Sequence, residues 1–224
     1  MEISIISEGV TDQIIIEAII QKRLNDKDII LNPLQPKKGE PGGWPLVIEY
    51  CKSNDFKESL PYNDGLIIIH IDCDVLKGAD IPKDCVIQFN GLDIKGTFEI
   101  VKDKIIEFIT LEVFELCSEK VIFAIAIDHI ECWLLPIYFP TKTAICNKTS
   151  GCITKLNPVL TKEHGFYIAA KDEDNYRTIA KKFNEKKSFE NCYKNNESFA
   201  LFIDSLNLAI DAYNKNNSES EEDI

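Results

Sequence analysis

The sequence predicts an α/β fold: a parallel sheet with helices on both faces and a helical C-terminal extension. Three observations carry this. Strand-like and helix-like segments alternate through the first 140 residues, the order that builds parallel sheets through helical crossovers. Two of the strands, in "DGLIIIHID" (64–72) and "KVIFAIAID" (120–128), are apolar on both faces, as strands covered from both sides are. The strand-like segments also end in acids, at the carboxyl edge where such sheets collect function.

The elements follow in order. Glu2 to Ile6 reads as a strand, and "SEGVTD" turns the chain through Gly9. Thr11 is the expected helix N-cap, with Asp12 suited to the positive end of the helix dipole. That helix runs to about Leu24, with Ile15, Ile16, Ile19, Ile20 and Leu24 on one side. "KDIILNPL" reads as a second strand stopped by Pro33, "KKGEPGG" as a loop and "WPLVIEYCKSN" as a short helix. After the third strand come a loop, a candidate short strand from Cys85 to Phe89, and an amphipathic helix from about Asp93 to Cys117. Its apolar face is Phe98, Val101, Ile105, Phe108 and Ile109. "HIECWLLPIYF" reads as a helical turn packed through Trp133, Leu134 and Leu135. From Thr141 to Asn157 there is little periodicity, and helices are expected around Asp172 to Lys187 and Glu197 to Asn214. The division is therefore 1–140 for the sheet domain, 141–214 for a mostly helical extension, and 215–224 for a disordered acidic tail.

With 224 residues, 45% hydrophobic and 28% charged, the chain reads as an ordinary globular one. No apolar run reaches membrane-spanning length, and the N-terminus shows no signal-peptide pattern. The eight cysteines form no CxxC pair and only three histidines accompany them, which argues against zinc. Apolar surroundings for Cys73, Cys117 and Cys132 suggest reduced thiols, no disulfide framework and a cytoplasmic location. The formal charge of −12 opposes nucleic-acid binding, but four of those charges lie in the tail "NNSESEED" and two bound divalent cations would offset four more.

The acids carry the chemistry. The first strand ends at Glu8, with Asp12 a turn later. The third ends at Asp72 and Asp74, which point to the same side. The fourth ends at Asp128, with Glu131 a turn beyond. Bare carboxylates brought together repel, and Mg²⁺ or Mn²⁺ relieves that repulsion through the oxygen ligands these ions prefer. Each acid has a plainer reading: Glu8 and Asp12 as dipole partners, Asp72 and Asp74 as turn residues, Asp128 as an N-cap. Whether Asp128 or Glu131 is the third acidic site stays open. His70 reads as a core histidine, and His129 and His164 have no evident partner. Lys171, Arg177, Lys181, Lys182, Lys186 and Lys187 fall in one helical segment, read first as a solvated face and second as a phosphate-contacting strip.

"SEGVTD" and "HIDCD", in this order and each after an apolar strand, resemble the Toprim domain of topoisomerases, bacterial primases and certain nucleases. With Asp12 and the segment "IECWLL", the pattern is similar to the OLD-type nuclease branch and its small stand-alone relatives, over about Met1 to Phe139. The resemblance implies a Toprim-like, Rossmann-like sheet and a metal-dependent endonuclease acting on DNA or RNA. It implies two Mg²⁺ or Mn²⁺ ions held by Glu8, Asp12, Asp72, Asp74 and Glu131. Glu8 would also relay a proton. Apart from the resemblance, the basic segment offers Lys171 as the candidate lysine near the scissile phosphate and Arg177, Lys181 and Lys182 as candidates for touching nucleic acid. The resemblance further implies anti-phage defence with a separate ATPase subunit; homo-oligomerisation is left open. The competing expectations are a non-catalytic module holding a structural metal and a Mg²⁺-dependent hydrolase of small phosphoesters.

Overall fold

A computed structural model describes residues 1–74, 87, 91–185 and 189–222, the side chains of 217–222 excepted. The strands are β1 (Ile3–Ile6), β2 (Asn32–Gln35), β3 (Leu66–Asp72) and β4 (Val121–Ala126), all parallel, in the order β2-β1-β3-β4. Helices α1 (Val10–Leu24), α2 (Trp44–Lys52), α3 (Asn54–Ser59), α4 (Ile94–Ile109) and α5 (Leu111–Glu115) connect them. A 3-10 turn (Ile130–Leu134) and α6 (Leu135–Tyr138) follow β4. The extension comprises α7 (Thr143–Cys146), α8 (Cys152–His164), α9 (Glu173–Glu185), α10 (Phe189–Tyr193) and α11 (Glu197–Glu222). The α/β architecture with C-terminal helices is as the sequence predicts.

Alternation along each strand explains why both faces are apolar. Ile3, Ile5, Leu66, Ile68, Ile122 and Ala124 face one core layer, which contains α1, Trp133, α9 and α11. Ile67, Ile69, Ile71, Val121, Phe123 and Ile125 face the other, with Phe98, Val101 and Ile105 of α4 and Val47 of α2. The first layer is closed by Trp133, which lies parallel to Phe199 and Phe202 at 5.2 Å from each ring centroid. Its indole N–H donates to Ser198 Oγ at 2.7 Å. The extension thus completes the core of the sheet domain.

Several boundaries differ from the sequence expectation, each for a local reason. Gly9, not Thr11, caps α1: its carbonyl accepts from the Asp12 and Gln13 N–H groups, and Thr11 lies inside the first turn. Pro33 does not stop the second strand but sits within it. Proline lacks the N–H that a central strand needs, and β2 is an edge strand. The helix expected to run from Asp93 to Cys117 breaks at Thr110, whose φ of 80° is left-handed, and resumes as α5. Asp93 accepts from the Gly96 N–H as the side-chain cap of α4. The weakly periodic stretch holds α7 and the start of α8. The last helix continues past Asn214 to Glu222 rather than giving way to an irregular tail. The candidate strand from Cys85 to Phe89 falls largely outside the described residues; of it only Ile87 is described, and it is buried. Lys186 and Lys187 also lie outside them.

The expectation of no disulfide is corrected: Cys132 and Cys152 are bonded. The reason is tertiary, since packing sets the 3-10 turn against the first residue of α8, and no spacing rule announces that contact. Among the described residues, Cys51, Cys73, Cys117, Cys146 and Cys192 are buried and take no part in a disulfide, and no helix is long and apolar enough to cross a membrane.

Trp133 gives a direct test of how the extension is attached. Trp133→Ala should cost about 3–5 kcal/mol, as large-to-small changes at fully buried aromatics do. Ser198→Ala should cost about 1–3 kcal/mol by leaving the indole N–H buried and unpaired. Urea unfolding of the three proteins checks both values; a change below about 0.5 kcal/mol for Trp133→Ala would mean the extension packs elsewhere.

Candidate metal centre

The carboxyl ends of β1, β3 and β4 bring their acids to one cleft of about 510 Å³. Glu8, Asp72, Asp74 and Glu131 line it, with His129, Lys171 and Tyr176 and with the apolar residues Ile153, Ile168, Ala169 and Ala170. Asp12 sits behind Lys171, fully buried.

Backbone geometry fixes Glu8 from two directions. Its carbonyl accepts from the Gly43 N–H at 2.6 Å, and a Cβ at Gly42 would come within 2.1 Å of that oxygen. The "EPGG" loop therefore needs its first glycine for close approach. Gly43, at φ 115°, occupies a conformation that side chains disfavour. On the other side, Glu8 Oε1 accepts from the backbone N–H of Asp72 at 2.7 Å.

Asp72 ties three chain segments together. Its Oδ1 accepts from the Ile130 N–H at 2.9 Å, which positions the turn after β4. The same oxygen lies 3.3 Å from His70 Nε2, an ion pair whose alignment falls short of a hydrogen bond. His70 Nδ1 must be the donor to the Ala124 carbonyl, 2.6 Å away, because a carbonyl only accepts. With Nδ1 protonated, facing a carboxylate favours a proton on Nε2 as well. Burial would push the imidazole pKa down, but the Asp72 carboxylate outweighs it and raises the value to about 9. Lys171 closes the group, with Nζ 2.8 Å from Asp12 Oδ1 and 3.9 Å from Asp72 Oδ2.

The carboxylates respond in two ways. Burial, then the charge of Asp72, pushes Glu8 up to about 8. Burial raises Asp72 to about 6, with His70 opposing it. Glu131 is also raised by burial, but hydrogen bonding from His129, the charge of Lys171 and the Tyr176 hydroxyl bring it down to about 2. Tyr176 donates to Glu131 Oε1, and His129 lies between Asp128 at 3.1 Å and Glu131 at 3.4 Å. The acids of the cleft thus differ: Glu131 is held low by its donors and by Lys171, whereas burial raises Glu8 and Asp72 above the ordinary carboxylate range.

Asp12, His70 and Asp72 each offer a ligand atom, all within 4.8 Å of one another, so this group could hold a metal ion. The donors fit: buried carboxylate oxygens predominate, and Asp12 Oδ2 is buried with no hydrogen-bond partner. Asp128, His129 and Cys132 also converge, but Cys132 is committed to the disulfide and supplies no thiolate.

Of the expected site residues, Glu8, Asp72, Asp74, Glu131 and Lys171 share the cleft, and Asp12 meets it through Lys171. Asp74 is exposed at the mouth. Asp128, at φ 75°, is not the cap of the following turn; His129 is. The basic residues do not form one strip. Lys182 pairs with Glu163 at 2.9 Å, Arg177 pairs with Glu173 at 3.6 Å, and Arg177 and Lys181 border a groove between α1 and α9. Sequence reasoning missed His129 and Tyr176. "DHIE" carries a signal for the first, a histidine flanked by acids one before and two after. Tyr176 has none, since its role depends on where α9 docks.

No protein-family model, no curated protein and no solved structure matches the chain.

The pKa directions predict how the metal-free protein responds to pH. Glu8 is raised from 4.5 to about 8, Asp72 from 3.8 to about 6, and His70 from 6.5 to about 9. Between about pH 4 and 9 the folded chain therefore holds more protons than the unfolded one, and stability falls as pH rises. Glu131 acts in the opposite sense, losing its contribution only as pH falls from 4.5 towards 2. Thermal unfolding in a chelator should give a Tm that declines from pH 5 to 9, with Glu8→Gln flattening the decline. Mg²⁺ or Mn²⁺ should raise Tm most at the alkaline end, where it no longer competes with protons. A Tm indifferent to both pH and cation would remove the metal centre.

Proposed function

We propose that this protein is a Toprim-type, metal-dependent phosphodiesterase that cleaves DNA or RNA. One observation carries the reading: Glu8 and Asp12 after β1 and Asp72 at the end of β3 are held together at the carboxyl edge with too few cations to balance them. An arrangement that raises Glu8 and Asp72 above their ordinary range is costly unless a ligand offsets it, and perturbed acids in a cleft mark functional sites. The order of the motifs "SEGVTD", "HIDCD" and "IECWLL" supports the same assignment.

Asp12, Asp72 and Glu8 are the ligand candidates, with Asp74 and Glu131 at the cleft side. Two Mg²⁺ or Mn²⁺ ions would supply Lewis-acid stabilisation of charge on the phosphate and lower the pKa of a nearby water. The remaining work falls to the chain. Glu8, held by Gly43 and by Asp72, is placed to take a proton from the attacking water. Lys171, drawn into the cleft by Asp12 and Asp72, meets the charge on a non-bridging oxygen. Tyr176 and His129 keep Glu131 ionised and aimed. The resemblance extends the proposal to anti-phage defence beside a separate ATPase chain.

A specific observation favours one other reading. The Lys171 ammonium already lies among the acids, where it could act as a permanent counter-ion in a non-catalytic binding module.

The purified chain should cleave a single-stranded or plasmid substrate with Mn²⁺ and not with a chelator. Asp72→Asn combined with Asp74→Ala should abolish cleavage, while the amide oxygen at position 72 still accepts from the Ile130 N–H and holds the turn. Glu131→Gln keeps the side chain's size and should lower metal affinity or turnover about 10–100-fold, as outer partners of metal ligands do. A chain that neither binds a divalent cation nor cuts would leave the binding module as the answer.

A further inference from the structure

We infer that the apolar part of the cleft lining, Ile153, Ile168, Ala169 and Ala170, receives a nucleobase, so that the substrate unit is an unpaired nucleotide rather than duplex. This rests on the phosphodiesterase reading and adds the form of the substrate to it.

The cleft is lined by two unlike kinds of residue: carboxylates with Lys171, and the small apolar set that runs through Ala169 and Ala170. The apolar set is held in place. Asn157 on α8 grips the main chain of Ile168 twice, accepting from its N–H at 2.8 Å and donating to its carbonyl at 3.2 Å. Ile168 is buried, while Ala169 and Ala170 are exposed and line the cleft. The next residue, Lys171, is anchored on Asp12, and α9 begins two residues later. The segment is therefore held at both ends. Two exposed alanines beside Lys171 present short apolar side chains against which a base can lie while its phosphate meets the ammonium. The cleft's 510 Å³ falls within the roughly 300–1,000 Å³ typical of small-ligand sites.

The charges argue against a duplex. Among the described residues, Lys171 is the only lysine or arginine lining the cleft. Lys182 and Arg177 are paired with acids on α8 and α9. Duplex binding draws on about 6–10 phosphate contacts. Sites for unpaired nucleotides instead gain affinity by stacking bases on side chains, and enzymes that act inside a duplex must first extract the base.

The test uses the full chain with Ca²⁺ in place of Mg²⁺, and calorimetry with four probes: adenosine 5′-monophosphate, ribose 5-phosphate, a short single strand, and the same strand as duplex. Adenosine 5′-monophosphate should bind about tenfold tighter than ribose 5-phosphate, the order expected when a base covers about 55 Å² of apolar surface. Ala169→Ile with Ala170→Ile should erase that preference while leaving Tm unchanged, both positions being exposed. Competition by the single strand but not the duplex identifies a strand as the source of the nucleotide. Competition by neither identifies a free nucleotide. Equal binding of the two small phosphates, or a duplex that competes as well as the single strand, overturns the inference. The two readings fail separately. Cleavage of bis(4-nitrophenyl) phosphate without any preference for the base leaves the phosphodiesterase and removes the base site. Preference for the base without any phosphodiester cleavage leaves the base site and removes the phosphodiesterase.

Discussion

Asp72 is the constraint on which the rest depends. Its N–H holds Glu8 at the end of β1, one carboxylate oxygen takes the Ile130 N–H after β4, and the other faces Lys171 from the extension. Sheet, turn and extension are thereby set relative to one carboxylate that is itself 4% exposed. Burying a carboxylate at a strand end is unfavourable unless it is hydrogen-bonded and paired. Here the compensation comes from one backbone donor and from two cationic groups on different elements. The fold and the site are consequently one arrangement: loosening the site would release the elements that Asp72 joins.

His70 illustrates how far this compensation reaches. It lies two residues earlier on the same face of β3, wholly buried, and donates to the Ala124 carbonyl. A buried imidazole in an apolar layer would ordinarily be neutral. Asp72 reverses that preference and turns the histidine into part of the site's charge balance. Its sequence reading as a core histidine is correct about position and incomplete about charge.

Much of the fold could be read from the sequence because its signals are local. "LIIIHID" and "VIFAIA" declare strands covered on both faces, and Glu8, Asp72 and Glu131 follow from the ends of such strands in a parallel sheet. Lys171 is legible only as one of a run of basic residues, with no spacing that singles it out. What could not be read depends on docking between distant segments. Tyr176 becomes a partner of Glu131 once α9 packs on α1, and the two alanines become cleft lining because Asn157 holds Ile168. Arg177, Lys181 and Lys182 lie on α9, where helical periodicity turns Arg177 and Lys182 to different sides. Spacing alone leaves a solvated face and a phosphate-contacting strip both open.

The disulfide has a consequence for local opening. Cys132 lies next to Glu131, and Cys152 next to Ile153 of the apolar lining. Peripheral helices generally open on their own, at a free energy well below that of global unfolding. Here the first turn of α8 cannot lift away while the bond is intact without pulling on the turn that carries Glu131. That turn is in turn fastened to Asp72 through Ile130. The start of α8 and the acidic floor of the cleft therefore open as one cooperative unit, and hydrogen exchange in the oxidised chain would report the two segments at the same protection.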